Sequence, residues 1–148
     1  EIVAMTKKLD PTRLVNPASG GNFYQCGDIL DLHHYPEPKM VLYDPTRATV
    51  LGEYGGIGRK VEGHTWVKDQ GLGYVEFDSE EKVTDTYVEY AEQLYRMAFQ
   101  GFSAAVYTQT TDCETELNGL MTYDRAVIKL DEKRLLQINR KISHAFAE

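Results

Sequence analysis

The segment Thr49-Val50-Leu51-Gly52-Glu53-Tyr54-Gly55-Gly56 is a short apolar run that ends in one carboxylate, with glycines directly after it. Buried parallel strands are near-continuous apolar runs, and in α/β barrels the functional side chains lie where those strands end. The pattern therefore predicts a buried parallel strand that carries Glu53 to a functional edge. The alternative is that Glu53 is an ordinary polar residue at the end of a strand.

The turn sequence Asp-Pro-Thr-Arg occurs twice in the chain. It occupies residues 10–13 and 44–47, and a short apolar run follows each copy. Proline stops a preceding helix or strand, and aspartate hydrogen-bonds the backbone of its own turn. The repeat predicts that both copies introduce parallel strands. The alternative is an accidental repeat of a common turn.

The apolar pattern predicts one α/β unit over residues 1–148. Strand-sized runs and helical periodicity give the order α-β-β-β-α-β-α, with elements near residues 2–9, 13–16, 29–33, 48–53, 80–100, 103–108 and 131–147. Asp78 with Glu81 indicates a capping box, and Asp131 indicates an N-cap. Long connections rather than two-residue turns separate the strands, so we expect the strands to be parallel.

The composition of the chain argues against some classes of binding partner. The chain has 148 residues, 42% hydrophobic and 26% charged, which is ordinary globular usage. A net charge of −7 with scattered Lys and Arg argues against nucleic acid, which needs a basic stripe. No run approaches the roughly 18 apolar residues that span a bilayer, so no membrane partner is expected. Cys26 and Cys113 are predicted to be unpaired, largely buried thiols.

Two further stretches add to the strand that ends at Glu53. Residues 28–36 read DILDLHHYP, and residues 107–125 read YTQTTDCETELNGLMTYDR. Together the three stretches resemble glycoside hydrolase family 2, the β-galactosidase and β-glucuronidase type. The resemblance implies a (β/α)8 TIM barrel, which usually takes about 250 residues. We therefore expect a partial barrel, about strands five to eight with their helices, as the C-terminal half of the catalytic barrel.

The resemblance also implies a site. A retaining glycosidase needs a nucleophile and an acid/base carboxyl, and Glu53 corresponds to the nucleophile, with Tyr35 donating a hydrogen bond to it. The family's acid/base glutamate lies upstream of the part that this chain resembles, so it is expected to be missing. His33, Trp66 and Gln109 are the candidate substrate contacts. No cofactor and no metal are implied.

Several assignments stay open at this stage. Trp66 either stacks on a sugar ring or anchors the glycine-rich loop at 55–74. His33 and His34 each either contact a sugar or are structural residues whose hydrogen bonds are made within the protein. Because side chains alternate along a strand, His33 is expected on the same face as Tyr35. The acidic residues Asp112, Glu114 and Glu116 are solvated or structural, or else one of them is the second carboxyl.

Two function classes follow. The first is a fragment of a retaining glycoside hydrolase that acts on β-glycosides, of the β-galactoside kind, with a carbohydrate as its partner. The second is a non-catalytic carbohydrate-binding or inactive fragment. Because a half-barrel would expose unpaired strand edges and an apolar face, self-association of the chain is also expected.

Overall fold

The computed structural model describes residues 1–68 and 71–146. This part of the chain holds the elements α1 (Ile2–Leu9), β1 (Ile29–His34), β2 (Ala48–Gly55), β3 (Ile57–Gly58), β4 (Val75–Glu76), α2 (Glu80–Ala98), β5 (Phe102–Thr108) and α3 (Glu132–Ser143). Residue 147, the predicted end of the last helix, lies outside the described residues. No helix in the described ranges combines the length and the apolar character that crossing a bilayer requires.

The main sheet is parallel and has the strand order β1-β2-β5. Strands β3 and β4 form a second, two-stranded parallel sheet. Three predicted strands, near 29–33, 48–53 and 103–108, are therefore confirmed, and so is their parallel pairing. Helix α2 packs against β5, β3 and α3, and Ile138 of α3 belongs to the same buried cluster as the sheet and α2.

The expected partial (β/α)8 TIM barrel is wrong. Within the described residues the main sheet is open, with β1 and β5 as its edges, and the remaining strands lie in a separate small sheet. A barrel requires every strand to pair on both sides with a consistent stagger. Here the ladders shift register between Leu32 and His33, and again along the β2 and β5 pair. The architecture is a small open α/β fold rather than strands five to eight of a barrel.

The predicted strand near 13–16 does not form. Val15 makes one backbone bond, accepting from Asp28 N at 2.9 Å, but its own N–H donates to the Asp28 carboxylate at 2.7 Å. Pro17 has no N–H with which to continue a ladder. The two Asp-Pro-Thr-Arg turns have the same hydrogen bond, since the side chains of Asp10 and Asp44 each accept from the backbone N–H of the threonine two residues later. Only the second turn leads into a strand.

The core lies between the main sheet and the two long helices. The sheet contributes Leu30, Leu32 and Leu51, all almost fully buried. Helix α2 contributes the predicted apolar stripe, including Tyr87 and Tyr90, which are core residues as expected. The further buried members of this cluster are Tyr54, Ile57, Val83, Ala91, Leu94, Phe102, Leu130 and Ile138.

The N-cap of α2 differs from the prediction, whereas the N-cap of α3 agrees with it. Ser79, not Asp78, is the N-cap of α2, and its hydroxyl accepts from Lys82 N at 3.3 Å. Asp78 lies outside the helix and instead pairs with the Lys82 ammonium at 2.9 Å. Asp131 caps α3 as predicted, accepting from two backbone N–H groups of the first turn.

Cys26 and Cys113 are unpaired, as predicted, but both are exposed, so the expectation of burial is wrong. Cys113 belongs to a tight turn in which its backbone N–H and C=O both bond to Glu116. Turns of this kind lie on the protein surface. Cysteine behaves as a small apolar residue, so its type alone predicted burial and did not indicate that Cys113 lies in a surface turn.

Replacing Leu51 by alanine should lower the free energy of unfolding by about 2–5 kcal/mol, because the side chain is 0% exposed in the core beneath β2. The matched control is Leu136→Ala on α3, where the side chain is 51% exposed and a change within about 0.5 kcal/mol is expected. Urea unfolding of both variants measures the difference. Equal losses would show that Leu51 is not part of the core.

Candidate functional site

One glycine sets the register that positions the site. Leu32 pairs with Leu51, but the next residue of β1, His33, pairs with Glu53, so Gly52 is the extra residue of a bulge. Its N–H donates to the Asp31 carboxylate at 3.0 Å, and the same carboxylate fills the space that a Cβ at position 52 would occupy. Glycine is thus required here, and the bulge brings Glu53 opposite His33.

Glu53 lies at the carboxyl end of β2 with its side chain 46% exposed. The Tyr35 hydroxyl donates to Glu53 Oε2 at 2.7 Å, and His33 Nδ1 lies 3.4 Å from the same oxygen. The predicted grouping of His33, Tyr35 and Glu53 is therefore present. Both neighbours engage Oε2, so among the described residues this network does not use Oε1.

Tyr35 is itself held in place. Its oxygen lies 2.7 Å from Thr108 Oγ1 of β5, and because a hydroxyl carries one proton, Thr108 donates while Tyr35 donates onward to Glu53. Burial raises the pKa of Tyr35, and donation to the Glu53 carboxylate raises this pKa further. The phenol therefore stays protonated well above neutral pH and remains a donor to the carboxylate.

The two histidines point in different directions, as strand alternation predicts. His33 bonds through Nε2 to Ser19 Oγ at 2.8 Å, so its ring is fixed between a loop residue and Glu53. His34 Nδ1 instead lies 2.7 Å from the backbone oxygen of Glu37. His33 is the histidine of the site, and His34 is a structural group of the turn that follows β1.

Gln109 does not contact Tyr35 or Glu53 through its side chain. Its amide nitrogen donates to Glu116 Oε2 at 2.9 Å and to Asn118 Oδ1 at 2.8 Å. The preceding residue, Thr108, is the one that reaches Tyr35, and the peptide bond between Thr108 and Gln109 is cis. The sequence motif thus identified the strand end, where Thr108 is the residue that contacts Tyr35, and the predicted substrate contact of Gln109 stays a prediction.

Trp66 is 61% exposed and packs edge-on against Tyr123, with 5.5 Å between ring centroids. The ring that stacks on Tyr35 is Tyr74, at 3.8 Å and nearly parallel. Sequence reasoning missed Tyr74, although it lies in the same glycine-rich loop as Trp66. The signal was an aromatic residue in a glycine-rich segment, which also describes Trp66 and so did not distinguish the two.

Of the three acidic loop residues, Asp112 has a structural role. Asp112 is buried and pairs with Lys129 at 2.6 Å, and the Lys129 ammonium also donates to the backbone oxygens of Leu117 and Arg59. Burial raises the pKa of Asp112, while the ion pair opposes that shift. Glu114 is exposed, at a backbone φ of 52°. Across 1–68 and 71–146, no three His, Cys, Asp or Glu side chains gather as a metal site.

No protein-family model matches the chain, and no curated protein matches it either. The relation to glycoside hydrolase family 2 therefore remains a prediction from the quoted motifs. What can be said of function rests on the geometry around Glu53.

A pH-sensitive clamp holds the loop that carries Trp66. Asp124 accepts from Thr122 Oγ1 at 2.6 Å, from the His64 ring at 2.8 Å and from Ala126 N at 3.1 Å. The Thr122 bond first, then the His64 and Ala126 bonds, lower the Asp124 pKa from 3.8 to about 2. The clamp is therefore complete above pH 3.8 and lost as the pH falls through about 2.

Trp66 is the only tryptophan, so its fluorescence should report the loss of the Asp124 bonds as a change when the pH falls from about 4 towards 2. Asp124→Asn should show the acid-form emission already at neutral pH. Asp44→Asn is the matched control, because Asp44 also has a pKa of about 2 in a similar turn. If Asp124→Asn kept the acid transition, another group would control the loop.

Proposed function

We propose that this chain carries the nucleophile of a retaining glycoside hydrolase of the family 2 type, acting on β-glycosides of the β-galactoside kind. The observation that carries the proposal is the half-exposed Glu53 carboxylate, held at a strand end by the Tyr35 hydroxyl at 2.7 Å. A nucleophilic carboxylate must stay ionised and aligned, and a fixed phenol donor favours both. His33, at 3.4 Å, adds a second polar group beside it.

The first step follows from this geometry. Glu53 Oε1 attacks the anomeric carbon, an ester bond forms, and the glycosidic bond breaks with its electron pair leaving on the departing oxygen. Tyr35 holds Oε2 during the attack, so the carboxylate does not rotate. Because Tyr35 accepts from Thr108 and donates to Glu53, the nucleophile of β2 is oriented by β5 and by the residue that directly follows β1.

The second carboxyl is the part that we infer this chain does not supply. In a retaining enzyme it lies about 5–5.5 Å from the nucleophile and protonates the leaving oxygen. The carboxylates around the site are committed elsewhere: Asp31 to Gly52, Asp112 to Lys129 and Glu116 to Gln109. A leaving group would therefore have to depart without protonation, which only activated substrates can do.

A second candidate function is carbohydrate binding without turnover. The exposed aromatic pair Trp66 and Tyr123 favours it, since exposed aromatic rings can stack on the apolar face of a sugar. This candidate predicts binding without any covalent chemistry at Glu53. The two functions are therefore separable by a labelling experiment.

Dinitrophenyl β-galactoside should label the chain covalently. Its leaving group departs as a stable phenolate, so the nucleophile alone suffices for the first step, while the ester persists because no general base activates water. We expect a stoichiometric burst of dinitrophenolate and a glycosyl adduct on the peptide that contains Glu53. Intact-mass and peptide-mass measurements detect both.

Glu53→Gln should abolish both burst and adduct, because an amide cannot form the ester. Glu114→Gln is the matched control, since Glu114 is an exposed glutamate in another loop, and it should be labelled like the wild type. Saturable binding of the sugar without any adduct would favour the non-catalytic function. An adduct on another carboxylate would refute the assignment of Glu53.

A further inference from the structure

A serine, a histidine and a carboxylate form a chain of contacts at the edge of the candidate site. Ser19 Oγ lies 2.8 Å from His33 Nε2, and the other ring nitrogen, His33 Nδ1, lies 3.4 Å from Glu53 Oε2. The three side chains come from the loop before β1, from β1 and from β2. A nucleophile, a base and a group that orients the base are the parts of a serine hydrolase triad, which is recognised by geometry rather than by sequence order.

The positions of the protons follow from the neighbours of the ring. A carboxylate only accepts hydrogen bonds, so Glu53 favours the imidazole form that carries its proton on Nδ1. Nε2 is then an acceptor, and the hydroxyl of Ser19 donates to it. Asp31 is a second carboxylate near the ring, but it lies 3.8 Å from Nε2 and already accepts from two other donors. The favoured tautomer is therefore the one in which His33 can take the proton of Ser19.

The serine is open to a substrate. Ser19 is exposed, and so is Gly21 two residues later. A Cβ added to Gly21 would meet nothing within 4 Å, so there is free space beside the loop. No backbone hydrogen bond within the described residues uses the Gly21 N–H, which leaves this group to stabilise the oxyanion that forms when a hydroxyl attacks a carbonyl carbon.

The intervening residue brings the loop onto the histidine. Gly20 has a φ of 64°, and a Cβ added to it would lie 3.0 Å from His33 Nδ1. A side chain at this position would therefore be strained and would press on the ring. Glycine allows the loop to approach closely enough for the hydrogen bond between Ser19 and His33.

A second serine–histidine pair lacks this arrangement. Ser143 Oγ lies 3.2 Å from His144 Nδ1, but the same nitrogen lies 2.8 Å from the backbone oxygen of Arg140. A carbonyl oxygen only accepts, so His144 Nδ1 carries a proton and cannot take one from Ser143. The chain thus contains an exposed serine beside a histidine that is not activated, which is a matched comparison for Ser19.

We propose that Ser19, His33 and Glu53 form a second catalytic system, which hydrolyses small uncharged carboxylic esters. Ser19 Oγ attacks the carbonyl carbon while its proton passes to His33 Nε2. The bond to the alkoxide then breaks, and the departing oxygen takes that proton. Water, deprotonated by the same nitrogen, hydrolyses the acyl-serine, which releases the acid and restores Ser19. Glu53 is a positioning residue here, because it holds the imidazole in the required tautomer and does not touch the substrate.

The charges around the ring indicate which esters are accepted. The carboxylates of Asp31 and Glu53 lie 3.8 Å and 3.4 Å from its two nitrogens, so an anionic acyl group would be repelled. An ester is favoured over an amide because an alkoxide or phenolate leaves more readily than an amine. This activity does not rest on the proposed glycosidase function, in which Glu53 itself is the nucleophile.

The test uses p-nitrophenyl acetate as the substrate and phenylmethylsulfonyl fluoride as a covalent label for the serine. We expect steady release of nitrophenolate, and loss of fluoride with a sulfonyl adduct on the peptide that contains Ser19. Ser19→Ala should abolish both, and Ser143→Ala should change neither. Equal labelling of Ser19 and Ser143, detected by peptide mass, would show only the general reactivity of exposed serines and would overturn the proposal.

Two variants separate catalysis from a structural role. His33→Ala should slow ester hydrolysis about 100-fold, the contribution of a general base, and added imidazole should restore part of the rate. Glu53→Gln should lower the maximal rate about tenfold, the value of one hydrogen bond to a charged group, with an unchanged KM. A His33→Ala variant that keeps the full rate, or that imidazole does not rescue, would refute the role of His33 as the base.

The two proposed activities fail separately, because their adducts lie on different peptides. If the activated galactoside labels Glu53 but Ser19 is neither sulfonylated nor required for ester hydrolysis, the esterase is refuted and the glycosidase stands. If Ser19 is sulfonylated and required for ester hydrolysis but Glu53 is never glycosylated, the esterase stands and the glycosidase is refuted.

Discussion

The candidate site depends on one buried carboxylate. Asp31 accepts from Gly52 N at 3.0 Å and from Asn16 Nδ2 at 2.6 Å, and it is almost fully removed from solvent. Because an unsatisfied buried carboxylate is costly, these bonds hold the extra residue of β2 in place. Without that bulge the pairing of β1 and β2 would not place His33 opposite Glu53.

A second buried charge holds the other side of the site. The Lys129 ammonium bonds to the Asp112 carboxylate and to the backbone oxygens of Leu117 and Arg59. Losing one partner of such a pair leaves an uncompensated buried charge, which is strongly destabilising. The loop that carries Gln109, Glu116 and Asn118 is therefore fixed against the rest of the fold, so that its polar groups keep their positions before any ligand arrives.

Local rules predicted the centre of the site because they act within one strand. Alternation placed His33 on the Tyr35 side, and the strand-end rule placed Glu53 at an edge. Contacts between segments that are distant in sequence were harder to predict. Thr108 reaches Tyr35 and Tyr74 stacks on it, and neither contact was predicted from the sequence. Those choices depend on how loops distant in sequence fold back.

The sequence by itself determined the helices, three of the four predicted strands, the two turns and the identity of Glu53 as a strand-end carboxylate, because propensity, alternation and turn chemistry are local. Only the tertiary structure decided that the sheet is open rather than part of a barrel, that Ser79 caps α2, and that Asn118 is buried. Whether a sheet closes into a barrel, and whether a buried polar side chain finds a hydrogen-bond partner, depends on residues far away in the sequence. No short motif specifies where those residues will lie.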